Sequence, residues 1–310
     1  MITTVTMNPC IDRSIRIPKL NVGGYNRVSR VRTDIGGKGI NVSVALHNMR
    51  YESRALCLDS MDSGTYLTDT LTSMGIFSVM VPVPGHLREN LKVYDETTGD
   101  MTEINEAGTP VDVSSLKRFM QRFQTILSDT NLLVLSGSVP PGVPDDIYRQ
   151  MIEMAKSRGV ITVLDAAGER LRLGIEAGPD LIKPNRFEME TLCGRELTSR
   201  QDAIDEAKRL TENGVGAVCL SLGAEGAVYV TQRGIWSSEG LKIDVKGLQG
   251  AGDALVAGLC IGRLEGMDPG ETLRNGMTMA QGSLTREGTL LCTRMIYDEL
   301  RPKMPVERLA

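Results

Sequence analysis

Hydrophobic positions along this chain fall in short runs separated by stretches with a helical period. Seven runs read as strands: "ITTVTM" from Ile2, "SRALCL" from Ser53, "NLLVLSG" from Asn131, "VITVLDA" from Val160, "DLIKPN" from Asp180, "GAVCLSLG" from Gly216 and "GAVYVT" from Gly226. Between them, Val42, Ala45, Leu46 and Met49 recur at i, i+3, i+4 and i+7, the spacing of one helix face. Ala203, Ala207 and Leu210 follow a Ser199-x-x-Asp202 capping box. Strand and helix in alternation imply an α/β fold whose mainly parallel sheet carries helices on both faces.

Two stretches break the alternation. Residues 13–34 and about 86–105 ("YNRVSRVRTD", "NLKVYDETTGDMTEIN") are polar, extended and alternating. They predict a small β-sheet lid on a single domain spanning 1–310, with no internal repeat or linker. Two extended segments do not make a stable sheet unaided. The apolar positions Val28, Val31, Leu91 and Val93 therefore point to a homodimer formed through the lid.

Ligands of open parallel sheets bind beyond the carboxyl ends of the strands. The residues there are Asn8 and Asp12; Ser136, Gly137 and Ser138; Asp165; Lys183, Pro184 and Asn185; and Ser221 and Gly223. All are polar or small, or, like Pro184, mark a turn, and all should meet on one rim.

Composition narrows the chemistry. The 310 residues carry a formal net charge of -4, without the basic face expected of a nucleic-acid or membrane-surface protein. Cys10, Cys57, Cys193, Cys219, Cys260 and Cys292 form no C-x-x-C pair and read as reduced thiols, most of them in apolar runs. With only His47 and His86, histidine-based triads and metal sites are hard to assemble. No signal peptide or membrane span is evident, so a soluble, cytoplasmic protein is expected. Catalysis must then lean on carboxylates, backbone dipoles and cations.

Three short motifs each admit a plain reading. "GGKGIN", residues 36–41, could bring Gly37, Lys38 and Asn41 to a ligand at a helix start, or could be an ordinary glycine-rich turn. It is neither a Walker loop nor a dinucleotide fingerprint. "LIKPNRFEME", residues 181–190, places Asn185 and Glu188 on one helix face, where they could hold Mg²⁺ through water. A helix start with an acid in its first turn would look the same. "SLGAEG", residues 221–226, is explained by a plain hairpin.

"GLQGAGDALVAGL", residues 247–259, is different, because two glycines and a lone aspartate precede an almost unbroken apolar helix. The N–H groups of Gly250, Ala251 and Gly252 would lie at the helix tip, where roughly half a positive charge resides. A phosphoryl group in transfer gathers negative charge that such a tip stabilises. Asp253 is then the proton acceptor for an attacking hydroxyl. Aspartate has an unperturbed pKa of ~3.9, and the tip is expected to help keep it ionised. The plain alternative is an aspartate that caps its own helix.

In order over residues 8–258, "NPCID", "GGKGIN", "SGSVPPG", "KPNRFE", "SLGAEG" and "GAGDALVAG" resemble the PfkB (ribokinase-like) sugar kinases. Within that family they resemble the branch of 1-phosphofructokinase and tagatose-6-phosphate kinase. The resemblance implies an ATP- and Mg²⁺-dependent kinase with a Rossmann-like sheet and a β lid, commonly dimerising through the lid. By it, Asp253 matches the catalytic base and Gly250, Ala251 and Gly252 the anion hole. Lys183, Asn185 and Glu188 match the nucleotide and Mg²⁺ region, and Ser221, Leu222, Gly223, Ala224, Glu225 and Gly226 the nucleotide-binding turn. Asp12, Gly37, Lys38 and Asn41 match sugar-hydroxyl contacts. Arg27, Arg88, Asn90 and Ser136 match positions around the substrate's phosphate, and Glu103 in "TEIN" looks like the fructose-1-phosphate branch.

Two departures stand out. Leu248 and Gln249 replace a pair that usually includes a threonine, and "LDSMDSG", residues 58–64, lacks the usual glycines. The expected reaction converts fructose 1-phosphate to fructose 1,6-bisphosphate. Tagatose 6-phosphate is the alternative acceptor, a non-catalytic sugar-phosphate-binding regulator the alternative class, and a nicotinamide-dependent oxidoreductase a third.

Overall fold

Burial on both sides explains why the apolar runs become strands. In β1 (Ile2–Thr6) all five residues are buried. Even Thr3 and Thr4, on opposite faces, find hydroxyl partners at 2.8 Å in Thr130 and Ser43. The computed structural model describes residues 1–310. After β1 come β2 (Cys10–Ile17), β3 (Arg30–Gly36), α1 (Lys38–Asn48), β4 (Ser53–Ser60), α2 (Tyr66–Ser73) and β5 (Phe77–Val83). Next are β6 (Arg88–Asp95), β7 (Met101–Asn105), α3 (Val113–Ile126), β8 (Leu132–Ser136), α4 (Ile147–Lys156), β9 (Ile161–Asp165) and α5 (Gly168–Glu176). The chain continues through β10 (Leu181–Ile182), α6 (Arg186–Cys193), α7 (Arg200–Glu212), β11 (Ala217–Ser221), β12 (Ala227–Thr231) and β13 (Gly234–Ser238). It ends in α8 (Ala251–Leu264), α9 (Pro269–Leu284), α10 (Arg294–Leu300) and β14 (Glu307–Arg308).

Ten strands form one sheet in the order β14-β13-β12-β11-β10-β9-β8-β1-β4-β5. It is parallel from β11 to β5, and β12, β13 and β14 add an antiparallel edge. Neighbouring residues of one strand alternate between two apolar layers, Leu133 and Leu135 in one and Leu132 and Val134 in the other. That alternation places the layers on opposite faces. The α/β architecture with helices on both faces is therefore as the sequence implies. From β1 the chain builds β4 and β5 on one side, then crosses to β8 on the other. The strand order thus reverses between β1 and β8, where such sheets bind ligands.

The second sheet, β3-β2-β6-β7, is the expected lid, although its strands begin at Cys10 and end at Gly36, outside the anticipated 13–34. Register pairs Cys10 with Arg88, Asp12 with Asn90, Asn90 with Asn105, and Lys92 with Glu103. These residues share one face, which carries the lid's polar chemistry. On the other face Val31 is exposed, as is Val28 in the connection leading into β3, but Val93 is already buried, so it does not add to the apolar surface expected for a partner. Ile104, on that face, and Tyr25, in the connection between β2 and β3, expose apolar surface instead.

Beneath the site, α8 and α9 lie backbone to backbone. A Cβ on Gly258 would sit 2.6 Å from the Gly276 Cα, so only glycine permits this approach. No helix is long and apolar enough to cross a membrane.

Candidate active site

Asp165 closes β9 and organises the charges at the carboxyl ends of the strands. It is 1% exposed. Its Oδ1 lies 3.3 Å from Lys38 Nζ and 3.2 Å from Lys183 Nζ, while Oδ2 accepts from Ser136 Oγ at 3.3 Å. Burial opposes its ionisation, but Lys183 and Lys38 outweigh it and hold the carboxyl below its ordinary range. Lys38 is held up in turn by Asp165, against burial and with help from Asp253 and Glu188, and stays charged. A buried carboxylate shared by two ammonium groups is how such charge survives away from water.

Asp253 projects into this cluster from α8. The cap of α8 is Gly250, whose φ of +71° suits a residue without a Cβ. The helix ladder begins with Ala254 N–H donating to the Gly250 carbonyl at 2.8 Å. The N–H groups of Ala251, Gly252 and Asp253 precede that ladder and have no acceptor in the protein. Asp253 is thus the third helical residue rather than the cap. Its Oδ2 accepts from Asn41 Nδ2 at 2.7 Å instead of turning back to its own backbone. The plain capping reading of this aspartate is overturned. Its expected ordinary acidity is also corrected: burial, then the Asp165 charge, push the carboxyl up to about 6, against the pull of Lys38, Asn41 and Lys183.

A cavity of about 620 Å³ opens over the cluster, lined almost entirely by polar residues and glycines. Volume and polarity suit a small, highly hydroxylated or anionic ligand. Gly37, Lys38, Asn41, Ser136, Glu188, Gly250 and Asp253 line it from the sheet side, and Asp12, Arg88 and Asn90 from the lid. Asp12 accepts from Asn90 Nδ2 at 3.0 Å on Oδ1 and from Lys92 Nζ at 3.1 Å on Oδ2. Arg88 donates to the Asn8 carbonyl at 3.1 Å, the Asn90 amide oxygen at 3.2 Å and the Glu106 carbonyl at 3.1 Å. All three acceptors are uncharged, so its positive charge has no carboxylate partner in this set.

Asn8, Glu103, Gly137 and Ser138 also line the cavity, whereas other expected residues sit outside it. Arg27 is exposed in the connection between β2 and β3 and does not line the cavity. Ser221, Leu222, Gly223, Ala224, Glu225 and Gly226 form the turn of the β11–β12 hairpin, as the plain reading held. That turn lies three strands from β8 and outside the cavity wall. It is joined to the cluster through β10, since Ser221 N–H donates to the Pro184 carbonyl at 3.0 Å. Lys183 reaches the helix tip, within 3.8 Å of where a Gly252 Cβ would stand.

Asn185 and Glu188 form a reciprocal capping box, each backbone N–H donating 2.8 Å to the other's side chain. Glu188 Oε2 is committed to that box. Oε1 lies 3.9 Å from Lys38 Nζ, in a residue that also lines the cavity. No three carboxylate, histidine or cysteine side chains come close enough to cage a metal directly. Mg²⁺, however, keeps several waters and binds through one or two carboxylates plus substrate phosphates. A single carboxylate facing a polar cavity fits that donor set.

Sequence reasoning put Asp165 on the rim without a role, and missed Lys92, Asn105, Arg170 and Thr289, all in or beside the cavity. For Lys92 the signal was present: Arg88, Asn90 and Lys92 alternate along β6.

A model of the pfkB family carbohydrate kinases matches residues 5–295. The 1-phosphofructokinase of Bacillus subtilis is 34% identical over 309 residues, 100% of both chains. A possible 1-phosphofructokinase from Thermotoga maritima superposes with a TM-score of 0.91 at 29% identity, covering 100% of each chain. Phosphofructokinase-2 from Escherichia coli, in a form described as tetrameric and inhibited, superposes with a TM-score of 0.89 at 26% identity, covering 97% of this chain and 98% of its own.

Proposed function

Because this chain belongs to the pfkB family of carbohydrate kinases, we propose that it transfers the γ-phosphoryl group of ATP to fructose 1-phosphate, giving fructose 1,6-bisphosphate and ADP. The observation that carries this reading is Asp253. Its carboxyl stands at a helix tip with uncommitted N–H groups, beside Lys38 and the Asp165–Lys183 pair. The names of its relatives support the choice of sugar.

Asp253 accepts the proton of the attacking hydroxyl as it leaves. The N–H groups of Ala251 and Gly252, with the ammonium groups of Lys38 and Lys183, stabilise the charge on the moving phosphoryl group. Asn41 orients the Asp253 carboxylate. Asp12 and Asn90 hold sugar hydroxyls, and Arg88 holds the phosphate already on the sugar, its charge matched by no carboxylate among its acceptors. Glu188 would hold Mg²⁺ through water, and bound Mg²⁺ supplies neutralisation of the nucleotide's phosphates. The exposed apolar residues of the lid, Val28, Val31 and Ile104, are assigned to a homodimer contact.

ADP release measured with a panel of sugars and sugar phosphates tests the reading. Turnover should be greatest with fructose 1-phosphate. Preference for tagatose 6-phosphate would move the assignment within the branch, and no ADP with any acceptor would contradict it.

A further inference from the structure

Tyr94 lies on β6 two residues beyond Lys92, on the polar face of the lid. Its hydroxyl accepts a 3.0 Å hydrogen bond from Gln249 Nε2. Gln249 lines the cavity and directly precedes Gly250, the cap of α8. The lid also grips the neighbouring connection between α9 and α10. Arg32 Nη1 donates to the Glu287 carbonyl at 3.2 Å, and Arg30 pairs with the Glu287 carboxylate at 3.4 Å. The loop that carries Gln249 is also tied to the end of α9, just before that connection, Lys246 N–H donating to the Leu284 carbonyl at 2.8 Å. Of these attachments, the one through Gln249 reaches the backbone one residue from the α8 tip.

One further feature singles out this bond. The Gln249 amide oxygen is buried and has no hydrogen-bond donor. A neutral hydrogen bond adds little net stability, whereas a buried acceptor without a donor costs at least as much. Opening the lid breaks the first and lets water relieve the second. The Tyr94–Gln249 contact is therefore close to balance, as a clasp that opens and shuts in each turnover must be.

Resting on the kinase reading above, we propose that Tyr94 and Gln249 are a positioning pair that couples closure of the lid over the sugar phosphate to the placement of the anion-binding tip at Gly250–Gly252. Neither residue needs to touch the transferred group. When the lid is shut, the bond fixes the residue that leads into the tip, so that the uncommitted N–H groups are aligned only when the acceptor is covered. Water is kept out at the same step.

Tyr94→Phe, Gln249→Leu and the double variant test the pair. Each single change should lower kcat/KM for fructose 1-phosphate about 3- to 10-fold, mainly in kcat, with KM for ATP and Tm close to wild type. ATP hydrolysis without acceptor should rise relative to transfer. Because both residues act through one bond, the double variant should lose no more than the worse single one. Additive losses, or single variants equal to wild type, would overturn the pair. A second measurement requires no turnover. In the substrate-free protein, Tyr94→Phe should speed amide exchange at Ala254, whose N–H is bonded to the Gly250 carbonyl, and unchanged exchange there would also overturn it. That arm separates the clasp from the kinase reading, whose own failure would show as wild-type protein that releases no ADP.

Discussion

Asn41 and Asp253, from the first turns of α1 and α8, are joined by a hydrogen bond of 2.7 Å. It is the one side-chain donor fixing a carboxyl that burial would otherwise drive further toward its neutral form. Asn41→Ala should therefore raise the Asp253 pKa above about 6. A hydrogen bond to a charged group is worth ~1.5–3 kcal/mol, so the acid limb of the activity profile should move up by about one pH unit or more. Relative to wild type, activity should fall most in acid and recover in part as pH rises. A profile that keeps its shape while dropping in height would argue that Asn41 acts on the sugar alone.

The wild-type pH profile follows from the same carboxyl. The proton acceptor works ionised, and its folded pKa is raised to about 6. kcat/KM should therefore be flat above that value and decline as pH falls through it. Retention of full activity well below pH 6 would remove Asp253 as the base.

Asp165 is the only carboxylate within hydrogen-bonding reach of the Lys183 ammonium, which is 5% exposed on its side chain. Asp165→Asn leaves that buried charge without a counterion, and breaking such a pair typically costs ~3–5 kcal/mol. A fall in Tm of several degrees and loss of activity are expected. The sign can be checked against pH. Because the folded pKa of Asp165 is lowered, its contribution is present above its unfolded value and lost as pH drops through the folded one. The stability gap between wild type and variant should accordingly narrow in acid.

Arg88→Ala should raise KM for the sugar phosphate roughly 10- to 100-fold, since a charge-assisted contact is worth ~1.5–3 kcal/mol. KM for ATP should barely change. Equal effects on both constants, or better turnover with unphosphorylated fructose, would show that the sugar's phosphate is held elsewhere.

What could be read from the sequence, and what could not, follows from how each residue is buried. Strands covered on both faces announce themselves as apolar-rich runs, most clearly in β8 and β11. The edge strand β5 does not, because Phe77 is exposed and Pro82 interrupts the run. The six residues of "DLIKPN" yield only Leu181 and Ile182 as strand, since Pro184 has no N–H to give a ladder. At the site, glycine pairs marked α1 and α8, and both helices stand where the motifs placed them. Asp165 and Lys92 carry no local signature, and their importance comes from partners distant in sequence: Lys38 lies 127 positions from Asp165, and Asp12 lies 80 from Lys92. The raised pKa of Asp253 was equally illegible, because a helix tip argues for ionisation and only the packed neighbours reverse it.

Asp253→Asn tests the central claim most directly. The amide keeps the shape and can still accept from Asn41, but it cannot take a proton. General-base catalysis is typically worth ~10²–10⁴ in rate, so kcat should fall by about that factor while ATP still binds. Replacing a buried carboxylate whose pKa is raised from 3.8 to about 6 also removes a penalty of about 2–3 kcal/mol at neutral pH. Because a raised carboxyl pKa destabilises the fold only above the unfolded value, Tm should rise at pH 7 and the gain should vanish in acid. Loss of turnover together with equal or higher Tm is the expected result; near-wild-type turnover in this variant would contradict the account.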